Sequence, residues 1–109
     1  MAHKAMRSLV ADLKAGTVAA ASVQSQRAAR RSAAALDQIA MTSPARMVEE
    51  PGVLPALVAA VAAGGATAAL TVQETAICSA TVLVCIINAG PEFARRVAEE
   101  PCALPSLLA

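Results

Sequence analysis

A chain of 109 residues with 57% hydrophobic content is long enough for one domain and too apolar for intrinsic disorder. A formal net charge of +1 excludes the polyelectrolyte attraction of a dedicated nucleic-acid binder. Alanine dominates the apolar count and Phe93 is the single aromatic, so an all-α fold with a thin core is expected, since Ala has the highest helix propensity and buries little area.

The net charge conceals an asymmetry. Residues 1–36 carry Lys4, Arg7, Lys14, Arg27, Arg30 and Arg31 against Asp12 alone, whereas the remainder carries seven carboxylates against Arg46, Arg95 and Arg96. The first segment, rich in Ala, Ser and Arg, has the composition of an organelle transit peptide. Against that, Leu9-Val10-Ala11 followed by Ala15-Gly16 recurs as Leu57-Val58-Ala59 followed by Ala63-Gly64 at an offset of 48, and a removable leader needs no such counterpart. Ser43-Pro44 predicts a short helix, with Ser as N-cap and Pro at the first helical position, ending at Pro51-Gly52. A second helix is expected from Val53, with Pro55 in its first turn and Leu54, Leu57, Val58 and Val61 on one side, stopping at Gly64-Gly65. Thr71-Val72-Gln73-Glu74 has capping-box spacing for a third, longer helix, although a start in the Ala-rich run from Ala66 is open. Its expected packing stripe is Val72, Ala76, Ser79, Ala80, Leu83 and Ile87, and Asn88-Ala89-Gly90-Pro91 closes it.

This three-helix pattern repeats. Glu49 to Ala59 matches Glu99 to Ala109 at an offset of 50 with seven of eleven positions identical, and the offset of 48 also carries Ala28, Leu36 and Ile39 onto Ala76, Val84 and Ile87. A short helix ending in Glu-Glu-Pro, then Gly-x-Leu-Pro-x-Leu-Val, then a long helix opened by Val-Gln-Glu resembles the armadillo repeat, with HEAT repeats as a neighbouring form. The resemblance implies a right-handed α-solenoid in one domain spanning 1–109: a partial repeat over 5–42, a full repeat over 43–90 and a partial repeat over 91–109. It also implies a protein-interaction module or scaffold fragment in a reducing compartment, cytoplasm or nucleus. Peptide-binding members carry a Trp and an Asn one turn apart late in the third helix. Alignment on Gly90 puts Val82 and Ile86 at those positions, so the ladder is absent.

The expected contact residues are Gln26, Arg27, Arg30 and Arg31, facing an acidic protein segment. A stack of so few units is expected to self-associate or to dock on further repeats. No nucleic acid, cofactor or metal is expected. The lone His3 and the cysteines Cys78, Cys85 and Cys102 lack ligand spacing, and the thiols are expected reduced. The pairs Glu49-Glu50 and Glu99-Glu100 recur at one repeat position, as exposed turns would, and no nucleophile, base or phosphate loop supports an enzyme. The alternative is a small membrane protein using 53–70 and 77–89 as a helical hairpin.

Overall fold

In a computed structural model the described residues are 2–100 apart from 19 and 66, with side chains described from residue 6 onward. The described chain is 82% helix without a strand, so the class is all-α. Six helices run in order among these residues: α1 (Ala2–Gly16), α2 (Val23–Thr42), α3 (Pro44–Glu49), α4 (Val53–Ala63), α5 (Leu70–Asn88) and α6 (Pro91–Glu99). The second copy of the Leu-Pro phrase, Pro101 to Ala109 with Cys102, lies outside the described residues, as does the side chain of His3.

Local chemistry sets most of the boundaries. Gly16 and Gly64 end α1 and α4 where the next helix comes close: a Cβ on Gly16 would meet the Ala29 Cβ and the Ser25 carbonyl, and one on Gly64 would meet the Ala76 Cβ. Gly52 stands at φ 91° between α3 and α4, a left-handed turn that glycine adopts without strain. Pro44 and Pro91 occupy the first turns of α3 and α6, where a missing N–H costs no hydrogen bond. Ser22 caps α2 by accepting from the Ser25 N–H at 3.1 Å.

Two expected caps do not form. Ser43 precedes α3 but its hydroxyl makes no capping bond; at ψ 67° it is also the last cap of α2, where its N–H donates to the Ile39 carbonyl at 2.7 Å. Serving two helices leaves it outside the extended conformation that N-capping requires. Thr71 lies inside α5, which begins at Leu70, so the Thr71-to-Glu74 capping box is not made; its carbonyl instead accepts from the Thr75 hydroxyl at 2.9 Å.

The core is built from α1 and α4 on one side and α2 and α5 on the other. The Cα atoms span 35 × 35 × 18 Å, a thickness that fits two helix layers 8–10 Å apart. Each helix packs against its chain neighbour, α1 on α2 and α4 on α5, and also against the third helix after it: α1 on α4, α2 on α5 and α3 on α6. The Arg96 guanidinium joins α6 to α3 by donating to the Val48 carbonyl at 3.3 Å. Met6, Leu13, Leu36, Met47, Leu57, Leu83 and Ile86 are the largest sealed side chains.

The register of the long helices differs from the expected one. Buried residues of α2 are Ala29, Ser32, Ala33, Leu36 and Ala40, and those of α5 are Thr75, Ala76, Ser79, Val82, Leu83 and Ile86. Counterparts therefore stand 47 apart, not 48: Gln26 with Gln73, Ala29 with Ala76, Ser32 with Ser79, Leu36 with Leu83 and Ile39 with Ile86. The glycines that precede these helices keep the offset of 48, so the connection from Gly64 to Ala76 is one residue shorter than that from Gly16 to Ala29. Val84, the sequence-level partner of Leu36, is exposed.

Candidate interaction surface

The residues of the basic cluster all lie on α2. A little over one turn of helix carries Arg27, Arg30 and Arg31 on its solvent side, because the opposite side is occupied by Ala29, Ala33 and Leu36 against the core. Arg30 Nε stands 3.3 Å from Glu74 Oε1 on α5, both side chains about half exposed (55% and 42%). Arg27 and Arg31 make no ion pair among the described residues. Gln26 is half-buried and turned back into its own connection, where its side-chain amide donates to the Ala21 carbonyl at 3.1 Å. Three arginines thus share one outward surface, while the glutamine acts at the base of the helix.

An apolar component lies on the same helix and on α5. Five of the six large apolar side chains exposed among the described residues are on α2 or α5: Val23, Met41, Leu70, Ile77 and Val84. Leu70, Ile77 and Val84 are seven apart, which keeps them on one side of α5, and Leu70 and Ile77 are 71% and 67% exposed. Isolated exposed apolar residues carry no meaning, whereas several on one helix side make a candidate contact surface. Composition alone hid this cluster, since the continuous apolar run through α5 does not show which side faces water. The recurrence of Val23 as Leu70 at the offset of 47 is the signal that finds it.

The two positions aligned with the Trp and Asn of the ladder lie in the core. Val82 and Ile86 are completely buried, so neither faces a bound segment; the outward residues late in α5 are Thr81, Val84 and Asn88. The chain contains no Trp.

Between the α3–α4 turn and α6 lies an open depression of about 310 Å³ whose lining includes Glu49, Glu50, Arg96 and Glu100. It brings carboxylates beside a guanidinium already bonded to Val48. No group of three His, Cys, Asp or Glu side chains suited to a metal ion occurs among the described residues. Cys78 and Cys85 are free, half-buried thiols on α5. No family model, curated protein or solved structure matches the chain.

Proposed function

We propose that the chain is a protein-interaction module, a short right-handed stack of armadillo-like units that presents the outward surface of α2 and α5 to an acidic protein partner. One observation carries the reading: α1, α2 and α3 pack on α4, α5 and α6 in turn, with chemically matched residues in matched places. Gln26 and Gln73 make the same side-chain bond to the carbonyl five residues back, and Leu36 and Leu83 fill the same core position. Units that cannot seal their own apolar faces acquire a core by stacking, and the product is an extended surface.

Two measurements test it. In a stack, stability is roughly a sum over units and their contacts, so a chain with residues 43–90 duplicated in tandem is expected to fold with a raised thermal midpoint. Loss of cooperative melting would refute the repeat. A fluorescent oligoglutamate peptide is expected to bind through Arg27, Arg30 and Arg31, more weakly as salt rises. Replacing the three arginines by Ala should abolish that salt dependence; unchanged binding would remove them from the site.

The second reading is a membrane protein. Its support is α5, 19 residues long with a mean hydropathy of 1.8 and about a third of its apolar stretch buried. Its partner in a hairpin would be α4, whose 11 residues reach about 16 Å at 1.5 Å per residue, roughly half the hydrocarbon thickness. Release of the chain by carbonate extraction is the outcome expected of the stacked module.

A further inference from the structure

We infer that the chain stacks head to tail with copies of itself, the α1–α2 end of one copy seated on the α5–α6 end of the next. The register of the contact rests on the repeat reading above. Inside the chain α5 covers one side of α2, where Ala33 is buried and Arg30 reaches Glu74. The positions 47 residues on from Arg30, Ala33 and Asp37 are Ile77, Ala80 and Val84, which make the same side of α5, and no described helix covers it: Ile77 is 67% and Val84 49% exposed. The opposite side of α5 is sealed, with Thr75 and Val82 buried, whereas its counterparts on α2, Ala28 and Ala35, are only half-buried. Among the described residues one side of α5 is thus uncovered and one side of α2 only partly covered, and these two sides correspond to the two that meet within the chain.

Those open sides complement each other. Ile77 and Val84 are large where α2 offers the small Ala28 and Ala35, the pairing that lets two helices approach closely. The ends also differ in charge. Residues 2–42 hold six cations and two carboxylates, a charge of +4, and residues 44–100 hold three cations and six carboxylates, a charge of −3. Exposed Arg7, Arg27 and Arg31 stand at the first end. At the second end, Glu92, Glu99 and Glu100 outnumber Arg95 and Arg96, and Arg96 is bonded to Val48. Opposite charges across such a contact fix its register and speed encounter. Pairing two α5 sides instead would bring together no opposite charges, because Glu74 is the only charged residue of that helix and faces Arg30. A head-to-tail contact is heterologous, and where each copy continues the stack of the one before it the assembly is open-ended. The acidic partner of the arginine cluster is then the next copy.

Sedimentation velocity on the full chain tests this. The weight-average mass is expected to rise past that of a dimer with concentration and to fall as salt is raised. Arg27→Glu with Arg31→Glu disables one end, and Ile77→Glu with Val84→Glu the other. Each double variant alone is expected to be monomeric, and their equimolar mixture to reach twice the monomer mass and no more, because one intact end of each kind remains. A wild type monomeric at every concentration overturns the inference. So does self-association of the arginine variant, which would mark pairing of two α5 sides, and so does mass gained only on anionic vesicles. If circular dichroism shows a Glu variant unfolded, Ile77→Ser with Val84→Ser replaces it, and the wild-type salt series decides independently. The tandem-unit melt reads the repeat and sedimentation reads the ends, so either can fail alone.

Discussion

Gln73 donates its side-chain amide to the Ala68 carbonyl at 2.8 Å, and 47 residues earlier Gln26 makes the same bond to Ala21 at 3.1 Å. Both bonds fold the start of a long helix onto the connection before it and satisfy a carbonyl outside the helical ladder. Their recurrence gives the Gln of the Val-Gln-Glu phrase a physical role. Gln26→Ala is expected to lower stability by about 1 kcal/mol, the usual net contribution of one hydrogen bond, and the thermal midpoint by about 5 °C in a domain of this size. Melting followed at 222 nm checks it, and an unchanged midpoint would show the bond to be incidental.

Gly64 and Gly65 are adjacent, and their surroundings separate them. A Cβ on Gly64 would collide with the Ala76 Cβ, whereas one on Gly65 would meet nothing within 4 Å. Gly64→Ala therefore pushes α4 off α5, at a cost of about 1–3 kcal/mol. Gly65→Ala is expected to change stability by no more than about 0.5 kcal/mol, as at other open surface positions. Urea unfolding of the two variants side by side makes the comparison, and equal losses would contradict the close approach.

Local signals made the helix ends legible and left the neighbours of each helix hidden. Gly16, Gly64-Gly65, Pro44 and Pro91 punctuate the chain where the structure starts and stops its helices, because glycine and proline act through the backbone within one turn. The burial of α5 was not legible in the same way. Val72, Ala80 and Ile87, expected in its packing stripe, are half-buried, while Val82 and Ile86, outside that stripe, are sealed. In a helix apolar on nearly every side, periodicity cannot choose the face; the neighbouring helices choose it. The shift from 48 to 47 has the same origin, since a one-residue deletion in a connection turns the next helix by about 100° relative to a fixed alignment. The basic cluster was readable as charge, but its engagement with Glu74 joins residues 44 positions apart and needs the fold.

The Arg30–Glu74 pair lies at the surface, where an ion pair contributes about 0–1 kcal/mol. A double-mutant cycle with Arg30→Ala and Glu74→Ala is expected to give a coupling of about 0.5 kcal/mol, diminishing with added salt as exposed charges are screened. The pair thus orients the guanidinium more than it holds α2 to α5, a task that falls to Leu36, Leu83 and Val82 in the core. A coupling above about 2 kcal/mol would reverse that ranking.

Ser79 is fully buried on α5 and its hydroxyl has no hydrogen-bond partner. One turn earlier Thr75 bonds the Thr71 carbonyl, so the helix offers such a bond in principle and Ser79 does not take it. A buried hydroxyl left unpaired costs about 1–3 kcal/mol, and Ala fills nearly the same volume with a better helix propensity. Ser79→Ala is therefore expected to raise stability by about 1 kcal/mol. Ser32, its counterpart on α2, is buried less completely, at 2% exposure against 0% for Ser79, so Ser32→Ala should gain less. Urea midpoints that rise with an unchanged m-value would mark a gain in the native state alone. A fall for Ser79→Ala would reveal a partner for that hydroxyl, such as a buried water bonded in the α4–α5 seam.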